Sequence, residues 1–306
     1  MSVLPKYPVY VPSKGRFETG LTMKCLLRDR VPFYLVVEPQ EAEAYRSRYP
    51  GAKLLILPWS GNDETRQRFC AERGIENGGL IAVRNWCKEH SIRLGAARHW
   101  QIDDNISNFW RWYRGIRLYC AAGPALRASE DFVDRFENVA IAGLNYVMFA
   151  VEASKPFVRN AHVYSCTLVL NSIPHRWRLA YNDDTDICLQ VLSDGWCTVQ
   201  INAFLIQKLA TMLVAGGNTA DLYQGDGRLR MARSLERAWP GVVTTKRRFG
   251  RPQHVITYNW RKFDTPLRLK PEFVGKKWAP NEYGLKLTAV AEVKSPRLRE
   301  LLKQAP

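Results

Sequence analysis

Apolar positions fall into short runs separated by polar turns. In "YPVYVPSKGR", Val9 and Val11 alternate with their neighbours and the run ends in a polar loop at Pro12–Arg16, which predicts a strand feeding a loop. "PFYLVVEPQEAEAYRSRYP" predicts a second strand, Phe33 to Val37, and a short helix around 40–48; "AKLLILPWSG" predicts a third strand. A helix is expected from about 82 to 93, and "RHWQI" is a strand that delivers two carboxylates, Asp103 and Asp104. After "NFWRWYRGIRLY" the pattern is less regular through 120–160. "HVYSCTLVLN" and "CTVQINAFLI" then read as strands around an amphipathic segment. In that segment Ile187, Cys188, Val191 and Leu192 fall at helical spacing, Asn182 or Asp183 can cap the start, and Gly195 closes it. "GDGRLRMARSLERAW" predicts a further helix, stopped by Pro240 and Gly241. Strands alternating with helices of about ten residues argue for an α/β fold with a mostly parallel sheet flanked by helices.

Charge adds a partner class. Lys and Arg number 45 against 29 Asp and Glu, a net charge of +16 in 306 residues, which favours polyanions such as nucleic acid or nucleotides. The composition turns basic and aromatic at Lys246 and then rich in Pro and Lys, so 1–245 is expected to be the folded unit and 246–306 a basic extension packing on it. No apolar run reaches the roughly 18 residues of a spanning helix, and the start has no secretory pattern. Seven cysteines without a CxxC pair read as reduced thiols of a cytoplasmic protein, and a membrane partner is not expected.

Like charges as close as Asp103 and Asp104 repel unless a cation lies between them. Oxygen ligands at a strand end suit Mg²⁺ or Mn²⁺, with Asn105 as a third ligand, and such an ion would also hold a diphosphate. Lys14, Arg16 and Arg84 can add positive charge, and the amides near Ser13 and Gly15 can face phosphate. The second cluster, Asp183, Asp184 and Asp186, opens a helix, where the macrodipole favours negative charge. One of its carboxylates can act as general base toward a hydroxyl.

In that order, "VYVPSKGR", "LVVE", "GLIAVRNW", "QIDDNI" and "YNDDTDICLQVLSDGW" resemble the GT-A fold of nucleotide-sugar glycosyltransferases. More narrowly, they are similar to the TET-associated glycosyltransferases of bacteriophages, over roughly residues 7–243. The resemblance implies a GT-A-like, Rossmann-type sheet and a metal-dependent hexosyltransferase using a nucleotide-sugar donor, expected to be UDP-linked. It implies donor contacts at Pro12, Ser13, Arg16, Glu38, Arg84 and Asp103, metal ligands at Asp103, Asp104 and Asn105, and an acceptor-side carboxylate at Asp183 or Asp184. Many GT-A enzymes use a later His for the metal; here the segment after 206 offers Gln207 and Lys208, and no His until His254.

The acceptor implied is 5-hydroxymethylcytosine or a related hydroxymethylpyrimidine in phage DNA. Trp110 and Trp112 interleave with Arg111 and Arg114, a pattern that suits stacking on an extruded base beside phosphate. It equally suits a half-buried element with aromatics in and arginines out. Lys246, Arg247, Arg248 and Arg251 form a second basic stretch, and "AGGNTADLYQGDG" is a candidate lid. Two other readings stay open: a two-metal nuclease built from both acidic clusters, and a non-catalytic DNA-binding protein on a degenerate GT-A fold.

Overall fold

Strand β1 (Val9–Pro12) lies between β2 (Tyr34–Val37) and β4 (Arg98–Ile102), parallel to both, and β3 (Lys53–Ile56) continues the parallel set beyond β2. The computed structural model describes residues 3–113, 115–150, 155–208, 227–248, 250–256 and 263–275. Six more strands complete one sheet: β5 (Ile106–Tyr113), β6 (Ile116–Cys120), β7 (Val139–Tyr146), β8 (Phe157–Arg159), β9 (Cys166–Leu170) and β10 (Cys197–Lys208). The order is β3-β2-β1-β4-β9-β7-β10-β5-β6, with β8 also on β10. Among the described residues, only β7 and β10 pair in parallel in this second half; β9, β5, β6 and β8 run against their neighbours. The fold is α/β with a large central sheet flanked by helices, compatible with a GT-A-like arrangement.

Both faces are covered, as parallel strands require. Val9 and Val11 point to one face, where α1 (Leu21–Arg28), α2 (Ala42–Arg48) and α5 (Ala122–Val133) pack with Met23, Leu26, Tyr45 and Leu126. Tyr10 points to the other, among residues of α3 (Glu64–Glu72), α4 (Ile81–Arg93) and α6 (Asp183–Ser193) such as Cys70, Cys87 and Cys188. The alternation seen in the sequence thus separates two buried faces rather than a core from solvent. All seven cysteines are thiols, six of them buried.

A smaller cluster joins Leu179 and Leu189 to Leu235 of α7 (Gly227–Ala238) and Val243 of β11 (Val243–Arg248), which pairs with β12 (Arg251–Ile256). The compositional boundary at 245 therefore falls inside β11. Residues beyond the hairpin return to the main sheet: Asn138 Nδ2 donates to the Pro266 carbonyl, and Asn160 Nδ2 to those of Phe263 and Thr265. No helix among the described residues is long and apolar enough to cross a membrane.

Candidate active site

The chain adds β2 and β3 on one side of β1 and then returns to place β4 on the other. Loops leaving β1 and β4 therefore diverge from adjacent strand ends, the place where open α/β sheets form ligand crevices. The loop after β1 carries Ser13 to Arg16. Gly15 adopts φ +64° there and donates its N–H to Glu41 Oε1, a backbone angle that favours glycine. The loop after β4 carries Asp103, Asp104 and Asn105.

Helix α1 fixes this second loop. Its first amides, Leu21 and Thr22, donate to the Asp104 carbonyl at 3.0 and 3.1 Å. Thr22 Oγ1 donates to the Asp103 carbonyl and accepts from the Ile106 amide at 2.9 Å. The two carboxylates are thereby sent to different partners. Asp104 is buried and accepts from Ser13 Oγ at 2.7 Å and from Arg16 Nη1 at 2.5 Å. Burial pushes its pKa up against those two contacts. Asp103 faces Lys208 Nζ at 2.7 Å and Arg84 Nη2 at 3.5 Å. Burial opposes its charge, yet Lys208 and Arg84 outweigh burial and hold the carboxyl below its ordinary value.

The second acidic cluster arrives from α6. After β9 the chain crosses back to the same sheet edge, pinned by α4: Asn85 Nδ2 donates to the Trp177 carbonyl, and the Lys88 ammonium to those of Ile173 and His175. Asn182, at φ +53°, turns the chain into the helix and gives its side chain to the Met231 carbonyl, so it caps by position and not by a hydrogen bond of its own. Asp183 then accepts from Arg84 Nε at 2.6 Å, and Asp184 Oδ1 lies 3.4 Å from Arg84 Nη2. Asp186 points away, to Arg178 and to Trp239 Nε1 at 2.8 Å, and serves the fold.

Arg84 is thus the hub of the site, 4% exposed and in contact with Asp103, Asp183 and Asp184. Burial disfavours its charge, but the three carboxylates more than compensate and raise its pKa. Burial also raises Asp184, to about 7, with the Arg84 charge opposing and Asp183 and Asp103 assisting. The two acidic clusters do converge, but a guanidinium stands between them where a nuclease would need two metal ions.

Pro12, Ser13, Arg16, Glu38, Arg84, Asp103, Asp104, Asn105, Asp183 and Asp184 all line one cleft of about 520 Å³. Lys208, at the end of β10, lines it too and was read in the sequence only as the position lacking a histidine. Its ammonium also donates to Ser165 Oγ at 2.8 Å, which in turn bonds the Tyr146 hydroxyl at 2.6 Å. Burial lowers the Lys208 pKa, but Asp103, Tyr146 and Asp184 together raise it by more, so the ammonium is retained.

The divalent ion expected at Asp103, Asp104 and Asn105 does not fit this arrangement. Each carboxylate oxygen of the pair already meets a donor: Ser13 and Arg16 for Asp104, Lys208 and Arg84 for Asp103. An ion at Asp103 would face the Lys208 ammonium on the same oxygen. No group of three or more His, Cys, Asp or Glu side chains among the described residues could hold a metal.

The expected nucleic-acid contacts lie outside the cleft. Trp110, Arg111 and Trp112 are half-buried on β5, which with β6 forms a hairpin at the sheet edge. Trp110 Nε1 donates to Gln207 Oε1, Arg111 lies over Tyr113, and Arg117 over Trp112. Lys246, Arg247 and Arg251 are exposed on the β11–β12 hairpin, where Arg248 ends β11. Arg114 and the candidate lid lie outside the described residues.

A family model described as TET-Associated Glycosyltransferase matches residues 7–217, a span that includes every cleft residue named above. No curated protein gives a significant match.

Proposed function

Because the chain belongs to the TET-associated glycosyltransferase family, we propose that it moves a sugar from a nucleotide donor, UDP-linked, onto 5-hydroxymethylcytosine or a related hydroxymethylpyrimidine in phage DNA. The chain is a glycosyltransferase; its donor and acceptor are the proposal. One observation carries the reading: the early basic loop, the strand-end Asp pair and the acidic helix start, far apart in sequence, line a single cleft at the switch point of the sheet.

The roles follow from the surroundings. Ser13, Arg16 and Glu38 border the β1 and β2 ends, where the nucleoside would lie. Asp104, bound to Ser13 and Arg16, holds that loop in place. Asp183 is committed to Arg84 at 2.6 Å, whereas Asp184, with its raised pKa, is the better base at neutral pH. The hydroxymethyl oxygen attacks the anomeric carbon of the sugar as its proton passes to Asp184. The bond from that carbon to the phosphate oxygen breaks, and its electron pair leaves with the diphosphate. A pyrimidine in a duplex must be extruded for its hydroxymethyl group to enter such a cleft.

The test is a screen of nucleotide sugars with DNA containing 5-hydroxymethylcytosine, read by mass spectrometry of the digested nucleosides. A hexose added to the modified base by the unaltered protein, and absent with Asp184→Asn, is the expected result. Unchanged nucleosides across the donor panel would refute the acceptor assignment.

A further inference from the structure

We propose that Lys208 takes the place of a divalent cation, so that the donor diphosphate is bound and its leaving charge stabilised by a protein ammonium without metal. The proposal rests on the nucleotide-sugar reading above.

Three observations lead to it. First, Lys208 comes from the end of β10, which runs in the same direction as β4, so both residues meet at one sheet edge. Its ammonium lies 2.7 Å from Asp103 Oδ2, at the carboxylate where the ion was expected. Second, an ammonium has three donors. Among the described residues, Asp103 and Ser165 take two of them, and Lys208 lines the cleft, which leaves one N–H to offer to a phosphate oxygen. Third, the ammonium's partner is itself anchored: the Tyr146 hydroxyl bonds Ser165, and the Tyr146 ring lies 5.9 Å from the ammonium.

In the transfer step the anomeric carbon–oxygen bond breaks and the electron pair moves to the β-phosphate oxygen. Lys208 meets the developing charge by hydrogen bonding and is not consumed. Asp103 is then a positioning residue, which keeps the ammonium aimed at the cleft rather than gripping an ion.

The experiment is calorimetric titration of the full chain with UDP, CDP, dTDP, GDP and ADP, in EDTA and again in MnCl₂. At least one diphosphate is expected to bind in EDTA, with affinity changed by no more than about twofold by Mn²⁺. Lys208→Met is expected to weaken that binding by about tenfold or more, the worth of one charge-assisted hydrogen bond, and Lys208→Arg to restore part of it. Binding that appears only with Mn²⁺ would overturn the inference and leave the glycosyltransferase reading standing. No binding in either buffer would overturn both. Unweakened binding by a folded Lys208→Met protein would also overturn it. Should that variant not fold, the EDTA comparison on the unsubstituted chain still decides.

Discussion

Arg84 shows how much one residue decides in this site. Three carboxylates surround a buried guanidinium, so removing it leaves like charges facing one another with little water to screen them. Arg84→Met is expected to cost about 3–5 kcal/mol, the usual penalty for stripping the partner from a buried ion pair. The deficit, followed by thermal melting, should shrink as the pH is lowered and the carboxylates take up protons. Asp184 supports a second prediction. Its folded pKa is raised to about 7, and only the deprotonated form accepts a proton, so kcat/KM should rise with pH through that value. The same shift enters stability with the opposite sign. The folded state binds this proton more tightly than the unfolded chain, so the group's contribution is full at low pH and is lost as the pH climbs to about 7. A kcat/KM profile flat between pH 5.5 and 8.5 would exclude Asp184 as the base. Both acidic clusters were legible in the sequence because carboxylate pairs at a strand end and a helix start are local patterns. Lys208 was not, since its meaning comes from a pairing 105 residues distant in the chain.

At the level of elements, the strands of the parallel half could be read because each is a short apolar run between turn residues. "RHWQI" coincides with β4 to the residue. Helix α5 and strand β7 were missed for different physical reasons. Helix α5 does carry an apolar face, with Leu126 and Val133 beside Ala122, Ala125 and Ala128, but Gly123 and Pro124 in its first turn read as a turn signal. In β7, seven of eight positions are buried, so alternation is lost, and Gly143 lies where a side chain would strike the Cys166 carbonyl. Helix α1 also escaped notice, although it fixes the Asp loop. Thr22→Val keeps the shape of the side chain but strands the Ile106 amide and the Asp103 carbonyl. A loss of about 1–3 kcal/mol is expected for those buried groups. Diphosphate affinity should fall as well, because the loop that carries Asp103 loses its anchor. A melting temperature and an affinity both equal to those of the parent would show that the helix amides alone position the loop.

Across the whole molecule, charge is divided between two tasks. Among the described residues, the cleft is lined by five cationic and five acidic side chains, so that lining is balanced and contributes nothing to the net +16. A balanced cleft suits a site where each charge has an assigned partner and one ligand must be held in register. An unbalanced exterior suits a long polyanion that needs only to be attracted and oriented. The exposed Lys246, Arg247 and Arg251 of the β11–β12 hairpin belong to that exterior, and replacing all three with Ala should leave the chemistry alone. Transfer to a hydroxymethylated mononucleotide is expected to be unaffected, while the affinity for duplex DNA falls. Every phosphate that the hairpin no longer neutralises makes the dependence of log affinity on log salt shallower by about 0.9. Removing all three cations should therefore reduce the slope by about 2 to 3, measured by fluorescence anisotropy over a salt series. A slope identical to the parent's would mean that DNA lies on another face, and the half-buried aromatic and basic edge formed by β5 and β6 would then be the surface to test.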